Sequence, residues 1–368
     1  MEIKSILTPI IRREIPDLLR WISFCPAPFR EQRDTKGIEW HISIDDEWKE
    51  EEMEEILSYA QHSHLRSFAI KFHSLQIIAK ESVYLRNIPR TSSVDLPYGS
   101  KSGPNKQFFE SIKRIVNDGK QSKENALILL EVDAIPIRMG WLTGLDEAIR
   151  NKGTFLIAGS RYQGKSKISS RINKHLNGNA IYGIGCADFE DFIQGWDSLL
   201  RSVVKICHWI AYDICFEWVI NSNEIHAREI AINHSKVIEL YKKTSIDISG
   251  FIANISGADE VSNDNIPTEA INEQIMVVHS KPFSKKTDYL LAGVTLDLSM
   301  LKWQNPLNLK LKALKQGPYA YFSSPNASKL SIETAVKLIK SEIFIKDRLV
   351  CSIVKSCIRR PNLTAAGK

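Results

Sequence analysis

Along the first two-thirds of the chain, extended apolar segments alternate with segments whose apolar positions recur every three to four residues. GIEWHISIDD (37–46) reads as a strand running into an acidic end, and EWKEEEMEEILSYAQ (47–61) as an amphipathic helix. SFAIKFHSL (67–75) is a further strand, and NKQFFESIKRIVNDG (105–119) a helix stopped by Gly119. NALILLEVD (125–133) is a continuous apolar strand of the kind buried in a parallel sheet, and it closes on two carboxylates. WLTGLDEAIRNKG (141–153) follows as a helix with a glycine stop, and TFLIAGS (154–160) as another strand. This rhythm predicts an α/β sandwich on a largely parallel sheet. The polar, turn-rich NISGADEVSNDNIPTE (254–269) reads as a loop. Near WQNPLNLK the character changes. Beyond it Ile332, Val336, Ile339, Ile343, Val350 and Val354 recur at helical spacing with Lys and Arg between them. The expected organisation is one α/β domain over 1–300 and a basic, partly helical extension over 301–368.

Charge changes that picture in one respect. The net charge of +6 conceals a split: residues 301–368 hold 13 Lys/Arg against 3 Asp/Glu, so the first 300 residues carry a net −4. Basicity belongs to the extension, and a nucleic-acid partner is not expected. The extension suggests instead a docking face for an anionic membrane surface or a polyanionic glycan, or a helix packed on the domain with a solvated basic face. With 43% hydrophobic and 25% charged residues the composition is that of a globular protein. Arg12, Arg13 and Glu14 interrupt the N-terminal segment where a secretory leader needs its apolar stretch, so a cytoplasmic location is expected, peripheral at the inner face of the membrane if the tail docks there. The six cysteines are scattered without a C-x-x-C pair and are expected as reduced thiols.

The chemistry concentrates in ALILLEVDAIPIRMGWL. Glu131 and Asp133 stand where a buried strand ends, the usual ligand position in open α/β sheets. Separated by one residue, they point to the same side of an extended chain. Hard oxygen ligands there suit Mg²⁺ or Mn²⁺ held jointly with a diphosphate; an acidic strand end that caps a helix or pairs with an arginine is the alternative. Further on come HLNGNAIYGIG, WIAYDICFEW and IMVVHSKPF, and upstream LPYGSKSGPNKQFF.

In this order the segments resemble those of nucleotide-sugar glycosyltransferases of the GT-A fold, with EVD in place of their Asp-x-Asp metal motif. The resemblance spans roughly residues 38–285. It implies a GT-A-like domain that transfers a sugar from a nucleotide-sugar donor to a hydroxyl of a glycan, lipid-linked sugar or protein, with Mn²⁺ or Mg²⁺. Lys101, Gly103 and Asn105, beside Gly99, correspond to a turn that contacts the nucleotide. Asn177, Gly178 and Asn179 resemble the donor-sugar strand of glycogenin-like enzymes. His279 and Lys281 resemble their His…Lys-Pro segment, which binds metal and diphosphate. Glu131 stands where the family has Asp, so Asp133 and His279 are the expected metal ligands, with Glu131 assisting through water or the ribose. Asp213 is the candidate base for the acceptor hydroxyl, with Asp188 and Glu190 as rivals. Asp45 or Asp46 could face the nucleoside, or Asp46 could cap a helix. His175, His208, His226 and His234 are read as structural.

One stretch competes. GSRYQGKS (159–166) fits the phosphate-loop pattern G-x-x-x-x-G-K-[ST] letter for letter. A phosphate loop needs a helix after it, and KISSRINKH lacks an apolar face. The acidic strand also precedes the loop rather than following it. A P-loop NTPase or kinase using Gly159–Ser166 is therefore the alternative, as is a catalytically inactive binding module. In the transferase reading Arg161, Lys165 and Lys167 line the acceptor rim or are solvated.

Overall fold

A computed structural model describes residues 1–29, 37–75, 97–118, 125–163, 172–255 and 273–279. The chain separates into a larger unit, Met1–Val261 with Glu269–Ser284, and a second comprising Ser262–Thr268 and Lys285–Lys368. All described residues belong to the first. The basic extension, the boundary expected at residue 300, and Lys165, Lys167 and Lys281 lie outside them.

The chain opens with β1 (Glu2–Ile10), a strand the periodicity reading leaves unassigned. Ile3, Ile6, Leu7 and Ile10 are buried, and so are Ser5 and Thr8, so both faces are covered and no alternation marks it. α1 (Ile15–Phe24) follows, then β2 (Glu39–Ile44), α2 (Glu50–Gln61), β3 (Ala69–Ser74), α3 (Ser102–Asp118) and β4 (Asn125–Leu129). Next come β5 (Ala134–Pro136), α4 (Trp141–Arg150), β6 (Ile157–Gly159), β7 (Ile181–Tyr182) and α5 (Phe189–Val204). The remaining elements are α6 (Cys215–Asn221), α7 (Ile225–Asn233), α8 (Ser235–Thr244), β8 (Ser245–Asp247), β9 (Ile252–Asn254) and β10 (Val277–His279).

The main sheet has the order β3-β2-β1-β4-β7-β6-β8. β3, β2, β1 and β4 are mutually parallel, β7 runs against both β4 and β6, and β8 is parallel to β6. This is the expected α/β architecture, a mostly parallel sheet flanked by helices. The two faces of β2 show the layering: Trp40 packs on Trp21 of α1 with ring centroids 5.5 Å apart, while Ser43, on the other face, hydrogen-bonds Ser111 of α3. Over α3 and α5 lies an aromatic core. Phe108 is stacked on Tyr212 at 3.8 Å and meets Trp196 edge-on at 5.0 Å. Trp196 satisfies its indole N–H by donating to the Tyr212 carbonyl. Burial of each such ring contributes about 1.5–3 kcal/mol.

A smaller sheet, β5-β10-β9, stands apart from the main one. β10 is antiparallel to β5 and parallel to β9. Asp46 does not cap α2: Lys49 holds that position, and Asp46 pairs with Arg12 at 2.9 Å. Cys25, Cys186, Cys207 and Cys215 are free thiols; Cys351 and Cys357 lie outside the described residues. Among the described residues no helix is long and apolar enough to cross a membrane.

Candidate active site

β1, β2 and β4 are parallel, so their carboxyl ends share one edge of the sheet, and Glu131 and Asp133 follow β4 at that edge. The pair does not lie on an extended chain as expected. Ala134 donates its N–H to the Glu131 carbonyl at 2.8 Å, closing a tight turn that reverses the chain into β5. The register of the small sheet does the rest. His279 stands opposite Ala134 across β5 and opposite Asn254 across β9. Its Nε2 comes within 3.4 Å of Asp133 Oδ1 and 3.6 Å of Glu131 Oε2. One ligand atom from each of the three lies within 4.8 Å of the others, the one such His/Cys/Asp/Glu group among the described residues. Two carboxylate oxygens and an imidazole nitrogen suit Mn²⁺ or Mg²⁺, so the residues present fit a divalent cation.

The electrostatics agree with a site short of positive charge. Glu131 is half-buried, with 43% of its side chain exposed, and its carboxyl lies above the usual range because partial burial and then the Asp133 charge disfavour ionisation. The opposing influences are His279 and the Asn179 amide. For His279, burial alone would lower the pKa, but Asp133, Glu131 and Asp213 together raise it. A divalent ion would replace the imidazolium as the counter-charge.

Several residues expected at the donor also hold the site together. Asn179 is 1% exposed; its Oδ1 accepts the Glu131 N–H at 2.7 Å and its Nδ2 donates to Glu131 Oε2 at 3.1 Å. Asn177 Oδ1 in turn accepts from the Asn179 backbone and side-chain N–H groups. Asn179 is thus a clamp on the acidic turn, and half-buried Asn177 supports it. Gly178 is required by packing, since a Cβ there would stand 2.6 Å from Tyr212 Cζ and closer still to its hydroxyl.

Asn105, expected beside the nucleotide, braces the backbone. It is fully buried, its Nδ2 donates to the Tyr98 and Ile210 carbonyls, and its Oδ1 accepts from the Tyr212 N–H. Gly103 is buried in the first turn of α3, whereas Lys101 is exposed on the 3₁₀ turn Gly99–Lys101. That turn is tied to the segment leading to Asp213: Gly99, at φ +68°, packs on the His208 carbonyl, which accepts from the Ser100 N–H and hydroxyl.

Asp213 sits in the 3₁₀ turn Tyr212–Ile214, close enough to act electrostatically on Glu131 and His279. Sequence reasoning set His175 aside, but its Nε2 lies 3.8 Å from Asp213 Oδ2. Asp188 and Glu190, the rival candidate bases, stand elsewhere. Gly185 donates to the Asn125 carbonyl and Cys186 Sγ lies 3.9 Å from Met1 Sδ, so this segment stands where β1 and β4 begin, at the far end from Glu131. The residue that sequence reasoning missed outright is Asn254. It reads as the start of a loop but ends β9, 2% exposed, with its Oδ1 3.2 Å from His279 Nδ1. A three-residue strand is too short to leave a periodic signal.

The described part of GSRYQGKS is extended. Arg161 bridges Leu176 and Tyr162 bridges Asn254, and the Gln163 N–H donates to the Asn254 carbonyl at 2.7 Å. Gly159 is buried at the end of β6, with Leu176 and Ala180 in the way of any Cβ. The phosphate-loop alternative is not favoured by residues 159–163; Gly164, Lys165 and Ser166 lie outside the described residues. Arg161 is bound to Asp247 at 2.7 Å and to the Lys174 carbonyl.

No family model and no curated protein matches the chain. Among solved structures it is similar to mouse xyloside xylosyltransferase 1 in its apo form, at 9% identity over 76% of this chain and 98% of that one, with a TM-score of 0.45. It is similar to galactosyltransferase LgtC in complex with donor and acceptor sugar analogues, at 11% identity over 75% and 87% of the two chains and a TM-score of 0.45. A third is S. aureus TarS 1-349 in complex with UDP, at 11% identity over 66% and 72% and a TM-score of 0.32. Likenesses at this level leave the function to the chemistry of the site.

Proposed function

We propose that this protein is a divalent-cation-dependent glycosyltransferase acting on a nucleotide-sugar donor and a hydroxyl acceptor of a glycan, lipid-linked sugar or protein. One observation carries the reading: Glu131, Asp133 and His279 converge at the carboxyl end of parallel strands, as a donor set for Mn²⁺ or Mg²⁺. The motif order that resembles GT-A transferases supports it. When bound, the ion supplies electrostatic stabilisation to a departing diphosphate. Asp133 and His279 hold it, and Glu131, clamped by Asn179, completes the set or reaches the ribose. Lys101 faces the nucleotide and Asn177 the sugar; Lys281, two residues past His279, serves the diphosphate on sequence grounds. Asp213 takes the proton of the acceptor hydroxyl if the reaction inverts configuration. The basic extension docks the enzyme on an anionic membrane surface or a polyanionic acceptor at the cytoplasmic side.

The test is a nucleotide-sugar panel assayed by diphosphate release with and without Mn²⁺, followed by Asp133→Ala. Turnover that needs the metal and is lost in Asp133→Ala is expected. Full activity of that variant would overturn the metal assignment. No turnover of any nucleotide sugar would defeat the transferase reading.

A further inference from the structure

We infer that Asn254 is a positioning residue that holds the ring of His279 through its Nδ1–H and so presents Nε2 as the ligand atom; this rests on the metal-site reading of Glu131, Asp133 and His279. An imidazole can coordinate a cation only through a nitrogen without a proton, and in the neutral ring only one nitrogen is free. Which nitrogen that is depends on the partner of the other. Here Nδ1 faces the Asn254 side-chain oxygen at 3.2 Å, an acceptor that keeps the proton on Nδ1. Nε2 is then the nitrogen that faces Asp133 and Glu131, where a cation would take the place of the proton those carboxylates hold.

The placement of Asn254 is over-determined. Asn254 and His279 are directly paired across parallel strands β9 and β10, so their side chains leave the sheet on the same side. Asn254 is 2% exposed, which removes water as a competing partner for the Nδ1 proton. Its backbone is held from the other flank, where its carbonyl accepts the Gln163 N–H at 2.7 Å and Tyr162 bridges to it. The described part of GSRYQGKS thereby acquires a role: Tyr162 and Gln163 lock the residue that orients the metal-site histidine. Asn179 does the corresponding service for Glu131. Two of the three candidate ligands are thus oriented by buried asparagines from different chain segments.

The experiment has two readouts on the full chain. The first is the Nδ1–H of His279 in the Mg²⁺-loaded protein, read as a ring proton protected from exchange in ¹H–¹⁵N spectra. Wild type and Asn254→Asp, which can only accept, should show it. Asn254→Leu should lose that protection. The second is Mn²⁺ affinity by titration followed by electron paramagnetic resonance. Asn254→Leu should bind about 10–100-fold more weakly, with Asn254→Asp restoring affinity to within about threefold of wild type or better. Asn254→Ala repeats the test should Asn254→Leu fail to fold. No protected Nδ1–H in Mg²⁺-loaded wild type, or unchanged Mn²⁺ affinity in the folded Leu and Ala variants, would overturn the inference and leave the metal-site reading standing. Wild type that binds no divalent cation would strike the metal-site reading itself.

Discussion

Replacing Gly178 by alanine tests the packing that joins the donor-side loop to the segment bearing Asp213. The new methyl carbon would stand 2.6 Å from Tyr212 Cζ and 3.0 Å from Cε2, with the hydroxyl oxygen closer still. Ordinary carbon–carbon contact lies at about 3.5–4.0 Å, so the tip of the ring must retreat by about 1 Å. It has little room to do so. The ring is stacked on Phe108 at 3.8 Å and 10°, the Tyr212 N–H is bound by Asn105, and its carbonyl by Trp196. Overpacking of this kind costs about 1–3 kcal/mol, to be read from urea unfolding at constant m-value. Asp213 is the next residue, so donor turnover should fall further than the lost stability explains. Tyr212→Phe removes the oxygen but not Cζ, and should relieve part of the strain, with a coupling of about 1 kcal/mol in a double-mutant cycle. A Gly178→Ala protein within about 0.5 kcal/mol of wild type, or an absence of coupling to Tyr212→Phe, would refute this account.

Two buried titrations of opposite sign supply further tests. Asp146 accepts the Ile3 N–H at 2.7 Å, and burial raises its pKa to about 6. The folded state therefore holds the proton more tightly, and about 3 kcal/mol of stability present below the unfolded pKa is lost as pH rises through 6. Asp146→Asn, which keeps an acceptor for Ile3, should remove that dependence in pH-resolved urea melts; an unchanged profile would contradict it. His41 lies 2.9 Å from His73 Nε2 through its Nδ1, and burial, then the His73 charge, lowers its pKa to about 4, with Glu39 opposing. Here the unfolded state binds the proton more tightly, so about 3 kcal/mol is lost as pH falls from the unfolded value toward 4. His41→Gln should therefore gain on wild type as the solution is acidified, and a parallel acid limb would exclude the pair as the cause.

Much of the framework is legible in the chain because it depends on neighbours in sequence. The run NALILLEVD announces a strand buried on both faces, and its close on Glu131 and Asp133 marks the acidic end from which the site is built. α2, α3 and α4 declare themselves by their apolar stripes. β1 does not, because a strand covered on both sides carries no alternation and its Ser5 and Thr8 are buried with the rest. The asparagines are unreadable for a chemical reason. An amide offers donors and an acceptor to substrate and protein alike, so Asn105, Asn179 and Asn254 look the same in sequence whether they bind a ligand or brace a turn. The phosphate-loop match is not favoured for the opposite reason: its letters are complete, but a pattern of residue types says nothing of the backbone that carries it, and residues 159–163 are extended.

The sequence by itself determined the longer strands and helices after β1, from β2 to α4, and that two carboxylates would close the apolar run beginning at Asn125. Local propensity and hydrophobic pattern are enough for that. Tertiary structure decided that His279, rather than any other histidine, meets Asp133, and that Asn254 stands behind it. Those meetings follow from the register of two three-residue strands. In so short a strand a shift of one residue would send His279 to the other face, and only packing against the rest of the molecule forbids it.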